Sequence, residues 1–189
     1  MTDITKKTQL DPCASEIVDF WIAAGPEKWF EKIDEFDREI ASRFGALMAS
    51  AKAGELEAWR EDAISVLALI LLLDQFPRNV YRDSPEAFAC DTDGVAVADA
   101  AIAAGYDAQF EIPVRRFFYT PFMHAEDMVL QKRCIALCRA LDDEEGVEFA
   151  VLHAEIIEKF GRFPHRNAIL GRATTEEEKI FLAEGGFSG

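Results

Sequence analysis

The residues of this chain best suited to chemistry are three histidines, His124, His153 and His165, and seven arginines, Arg78, Arg82, Arg115, Arg116, Arg162, Arg166 and Arg172. An imidazole titrates close to neutral pH and can pass a proton in either direction. A guanidinium offers a rigid fork of donors that matches a carboxylate or a phosphate. Two chemistries follow. One is that of a non-enzymatic helical scaffold that binds a peptide, a partner protein or an anionic ligand through this Arg/His-rich set. The other is enzymatic proton transfer on an anionic small molecule, with His124 or His165 as general acid or base and Glu126 as a further catalytic candidate.

The arginines gather at two stretches that echo each other. Asp74-Gln75-Phe76-Pro77-Arg78-Asn79-Val80-Tyr81-Arg82 and Arg162-Phe163-Pro164-His165-Arg166-Asn167, with Arg172 beyond, share a Phe-Pro step, then Arg-Asn, then a further Arg. Loops that merely connect rarely need such an assortment. The ligand-binding candidates are therefore Arg78, Asn79, Arg82, Arg162, Arg166, Asn167 and Arg172.

The same side chains have a structural reading, in which they cap helix ends and pair with carboxylates such as Asp74. Removing one partner from a buried pair of this kind costs roughly 3–5 kcal/mol, although the intact pair adds little net stability. Asp74 closes a helix that is apolar on all sides, so its carboxylate is drawn out of water and needs a donor. The densest supply of donors is Arg162 to Arg172. The two turns are thus expected to meet, with Phe76 packed near Phe163, Pro77 and Pro164 shaping the bends, and Asp74 bound by the second turn. His153 shares a helical stripe with Ile156, Ile157 and Phe160, which assigns it to the core as a structural residue.

Other chemistries lack their signatures. His124-Ala125-Glu126 puts two ligands on opposite sides of a helix, and two histidines four apart do not occur. A metal site would have to draw His124, His153, His165 and Glu126 from separate segments, so neither metal nor cofactor is expected. No Gly-x-Ser-x-Gly elbow and no phosphate-cradling Gly-x-x-x-x-Gly-Lys is present. Cys13, Cys90, Cys134 and Cys138 show no zinc-knuckle spacing and are too few for a disulfide scaffold. Cys134 and Cys138 lie four apart and read as small buried hydrophobes.

Composition narrows the partners. Twenty basic against thirty-five acidic side chains give a net charge of -15, which repels nucleic acid. The first residues hold no apolar stretch of signal-peptide length. The longest apolar run, Ile64 to Leu73, is about half of the roughly 20 residues that cross a bilayer. A cytoplasmic protein without a membrane partner is expected, with a flexible segment 1–13 followed by a single all-helical domain, 14–189.

Helical signals recur along the chain. Ala14 to Ala24 is closed by Gly25-Pro26, and Asp34 can cap an amphipathic run through Ala51. Glu55 to Gln75 is apolar all round in its second half and belongs at the centre, with Pro77 as its stop. Ser84-Pro85 starts a helix to Ala104, His124 to Leu141 and Val147 to Phe160 follow, and Gly161 ends the last of these. Thr174-Thr175 with the following acids forms a capping box for a final helix. No sustained period-two pattern appears, so the fold class is all-α, about seven to nine helices packed as antiparallel pairs.

Three long motifs, in order, resemble a known family. Leu71-Leu72-Leu73-Asp74-Gln75-Phe76-Pro77-Arg78-Asn79 with Tyr81-Arg82 is the first, and Phe118-Tyr119 with Pro121-Phe122-Met123-His124-Ala125-Glu126 the second. The third is Phe160-Gly161-Arg162-Phe163-Pro164-His165-Arg166-Asn167 with Leu170-Gly171-Arg172. Together they are similar to the bacterial domain of unknown function 924, over about Ile17 to Leu182. The resemblance implies a tetratricopeptide-like, right-handed superhelical array of helices. It implies no activity and carries over no catalytic residue. The textual repeat of about 34 residues typical of tetratricopeptide proteins is absent.

Overall fold

Where apolar periodicity meets a cap or a terminating glycine, a helix forms. A computed structural model describes residues 10–187, and among these residues there is no strand. The helices are α1 (Pro12–Ala24), α2 (Pro26–Trp29), α3 (Asp34–Lys52), α4 (Ala63–Ile70), α5 (Phe76–Val80), α6 (Asp91–Ala103), α7 (Thr120–Met123), α8 (Met128–Ala140), α9 (Glu144–Phe160) and α10 (Glu176–Ala183). Most of the segment 1–13 lies outside the described residues, and Pro12 and Cys13 already belong to α1, which Asp11 caps at the amide of Cys13.

Several starts and stops differ from expectation, each for a local reason. The central helix begins at Ala63 and not at Glu55, because Asp62 is extended and its carboxylate accepts from the amides of Ile64 and Ser65. Glu57–Glu61 before it is a 3-10 turn. Asp34 is the first helical residue of α3, and Ile33 holds the cap position. Ser84 caps only the 3-10 turn Pro85–Phe88, so α6 starts at Asp91. His124 closes α7, and the Asp127 carboxylate starts α8 afresh. Asp143 caps α9, which begins at Glu144 and not at Val147. Gly161 ends α9 with φ 70, and Thr175 with Glu178 forms the capping box of α10, as the sequence predicts.

Pro77 does not stop the central helix. Leu71–Gln75 forms a π turn, with the amide of Phe76 donating to the Leu71 carbonyl, and the chain continues as α5 to Val80. Pro77 then occupies the first turn of the renewed α-helix, where a missing N–H is tolerated. Ala63–Val80 is long and apolar enough to cross a membrane, and 83% of it is buried inside the protein. It packs against α1 and α6 through α4 and against α3 through α5.

Two apolar cores result. The main one holds Trp21, Phe44, Phe76 and Phe117 and surrounds the central helix. A smaller one holds Ile156, Ile157 and Phe163, flanked by Phe160, Phe181 and Phe187. Phe76 packs edge-on to Phe20 and tilted against Trp21 and Phe44 in the first core, whereas Phe163 lies against His153 and His165 in the second. The expected packing of Phe76 near Phe163 is thus replaced by two separate clusters. Each ring follows the apolar surface of its own helix neighbours.

Candidate functional site

The π turn brings Asp74 and Gln75 into the interior, and Asp74 is 0% exposed. π turns recur at functional sites because the wider turn re-aims its side chains. Asp74 accepts from Thr120 Oγ1 at 2.9 Å, from Gln75 Nε2 at 2.5 Å and from His124 Nδ1 at 2.8 Å. Arg78, one helical turn onward, places Nη1 3.1 Å from the same carboxylate. The donors come from the helix of Asp74 itself and from α7. The second Phe-Pro turn supplies none, contrary to expectation, because the helix does not end at Asp74 and Arg78 is within reach.

Burial alone would raise the Asp74 carboxyl, but His124, Arg78 and the Thr120 hydroxyl outweigh it and hold it below the usual carboxylate range. Asp74 is therefore ionised, the His124 proton resides on Nδ1, and Nε2 keeps its lone pair. Burial, with the charge of Arg78 second, pushes His124 down to about 4. His153, whose Nδ1 donates to the Phe149 carbonyl at 2.7 Å, is also lowered to about 4 by burial. Burial and the Arg166 charge bring His165 to about 4. All three imidazoles are neutral near pH 7. The His124 and His153 ring centres are 6.3 Å apart, and His153 and His165 both flank Phe163.

The two repeats do meet, at a residue that the sequence does not single out. Arg78 Nη2 donates to Asp91 Oδ1 at 2.8 Å, and Arg166 Nη1 to Asp91 Oδ2 at 3.2 Å. The Arg166 guanidinium is held between two rings, 4.5 Å from the Phe88 centre and 4.6 Å from the Phe163 centre. Arg166 is 6% exposed. Its Nε has no acceptor among the described residues, and neither does the buried Nδ1 of His165. Burial pushes Arg166 down to about 10, so it remains a cation at neutral pH.

The other candidates are divided among separate networks. Asn79 and Arg82 share Asp37, at 2.9 Å and 2.7 Å. Arg162 and Asn167 share Glu178, at 2.7 Å and 3.2 Å. Arg172 forks onto Glu126 at 2.6 Å and 2.9 Å, and Glu126 also accepts from the Phe163 amide. Glu126, lowered by Arg172 against the opposing effect of burial, is committed to that pair. Arg115 and Arg116 pair with Asp107 and Asp143. Among the described residues no group of three or more His, Cys, Asp or Glu side chains is disposed to hold a metal ion.

Sequence reasoning missed Asp91, Thr120, Gln75, Phe88 and Phe187. Asp91 lies 13 residues from Arg78 and 75 from Arg166, so only the fold reveals it. Gln75 and Thr120 adjoin motifs already conspicuous, and a polar residue within an all-round apolar run was the available signal.

The family described as bacterial protein of unknown function, DUF924, matches residues 17–186. No curated protein matches the chain. A solved structure of a protein of unknown function, ATU0120 from Agrobacterium tumefaciens, is similar at 47% identity, with a TM-score of 0.88. The match covers 91% of this chain and 97% of that one.

Proposed function

We propose that this chain, which belongs to the bacterial family of unknown function DUF924, is a helical binding module that holds an anionic group of its ligand at Arg166. One observation carries the reading. Among the described residues, the Arg166 guanidinium is a buried cation whose single acceptor is Asp91, shared with Arg78, and whose Nε is left without one. Five N–H donors in a site from which water is largely excluded favour an incoming carboxylate or phosphate oxygen, since an unmet buried donor costs free energy. Arg78, Asn79, Arg82, Arg162, Asn167 and Arg172 serve on this reading as the frame, because carboxylates already engage them. A tetratricopeptide-like superhelical stacking of helix pairs, such as α8 with α9, belongs to the same reading.

A second reading, an enzyme acting on an anionic small molecule, draws on the Asp74–His124 pair. That pair fixes one tautomer and leaves Nε2 as a base, whereas the buried Nδ1 of His165 has no partner among the described residues to orient it.

Thermal unfolding at constant ionic strength tests the binding reading. Inorganic phosphate or acetate is expected to raise the Tm of the wild-type chain with the logarithm of its concentration above Kd, and Arg166→Gln to abolish the rise. Equal responses of the two proteins would overturn it.

A further inference from the structure

The small apolar core contains a ring that the anion site does not need. Phe187 lies 4.6 Å from His153 and 5.5 Å from His165, ring centre to ring centre, with edge-on geometry to both. It is only part-buried, and it follows Gly185-Gly186 after the end of α10. Gly185 has φ +84, a conformation that side chains rarely adopt. At Gly186 a Cβ would come within 2.6 Å of the Phe181 ring and carbonyl. The tether is therefore built from the two residues that let the Phe187 ring fold back onto the helix bundle.

Beneath this ring, Phe163 forms a common wall. The Phe163 ring neighbours His153 and His165, at 5.7 Å and 5.6 Å between ring centres, and the Arg166 guanidinium lies 4.6 Å from the same ring. The slot that receives Phe187 and the cation short of acceptors are thus adjacent. Neutral imidazoles offer flat, weakly polar faces against which an aromatic ring packs edge-on, as Phe187 does here. A half-buried ring on a glycine tether is held by little apolar area, so a ligand that brings its own ring can take its place.

We propose that the slot between His153 and His165 is the aromatic subsite of the anion site, closed here by Phe187, and that the ligand is a small carboxylate bearing an aromatic ring. The inference rests on the anion-binding reading of Arg166. It adds the class of ligand and assigns Phe187 as a plug that the ligand displaces.

The test uses the full-length chain and calorimetric titration with acetate, phenylacetate, 3-phenylpropionate and 4-phenylbutyrate, which differ by the ring and then by tether length. At least one aryl acid is expected to bind roughly tenfold or more tighter than acetate, and Phe187→Ala to tighten it by a further factor of roughly ten by removing the competitor. The imidazole proton resonances of His153 and His165 should shift on binding of the aryl acid and not of acetate, a readout that needs no variant. Acetate and the aryl acids binding equally well would overturn the aromatic subsite and leave the anion site standing. Aryl-acid affinity unchanged in Phe187→Ala would overturn the plug. No binding of any of the four acids to either protein would remove the anion-binding reading, and this inference with it.

Discussion

Phe76-Pro77-Arg78-Asn79 lies inside a continuous helix, whereas Phe163-Pro164-His165-Arg166-Asn167 follows a helix that Gly161 has ended in the left-handed conformation. Both phenylalanines are fully buried. Each asparagine donates to a carboxylate that also takes an arginine, Asp37 in the first repeat and Glu178 in the second. The difference lies in the arginine after each proline. Arg78 is engaged by the Asp74 carbonyl, the Asp74 carboxylate and Asp91. Arg166, set one residue further from its proline by His165, reaches Asp91 alone among the described residues. Similar letters are saturated in one place and left with spare donors in the other, and spare buried donors are what a ligand can use.

The most severe way to break this comparison is to remove the acceptor of the saturated repeat. Asp74→Ala should destabilise the fold by roughly 3–5 kcal/mol in denaturant unfolding, since it leaves the buried His124 Nδ1 without its acceptor and takes one partner each from Arg78, Thr120 and Gln75. Arg166→Gln should cost about 1–2 kcal/mol, because Asp91 keeps Arg78. Equal losses would mean that the two arginines are equally committed.

Acid sharpens the contrast next. His124, His153 and His165 each fall to about 4 when folded, against an ordinary value of about 6.5. Between those values the unfolded chain binds more protons, so stability is full above about pH 6.5 and is lost as pH falls toward 4. Each histidine contributes up to roughly 3 kcal/mol to that loss. Unfolding free energies measured from pH 7 to 4 should show the decline, and His153→Asn should flatten it. A flat profile in the wild-type chain would contradict the burial of the three rings. The smallest effect concerns the feature that the repeats share. Asn79→Ala and Asn167→Ala should each cost about 0.5–1.5 kcal/mol, since each carboxylate keeps its arginine, and a large disparity would show that the two carboxylate pairs are not equivalent.

Much of this architecture is legible in the residues. Gly161 as a left-handed terminator, Thr175 with Glu178 as a capping box and the apolar run after Ile64 each act through neighbours a few positions away, so local chemistry suffices. The π turn is not legible, because a segment apolar on every side has no polar face whose phase could reveal an extra residue. Partner choice is hidden for another reason. Arg162 could have reached any of several carboxylates, and it takes Glu178, an N-cap partner that the helix start draws into the interior. Asp91 and Asp37 join the networks across long stretches of chain, and nothing local distinguishes them from the other acidic residues of this chain.

The π turn also bears on insertions and deletions. The wide turn of Leu71 to Gln75 takes up one residue more than an α-helical turn would hold, so α4 and α5 keep their interior faces aligned. Deleting one of these five residues would return the turn to ordinary α-helical winding with both flanks in phase. What would be lost is the aim of Asp74 and Gln75 at Thr120 and His124. A deletion within α4 or α5, with the π turn kept, would instead turn one half against the other by about 100° and take Phe76, Arg78 and Asn79 from their partners.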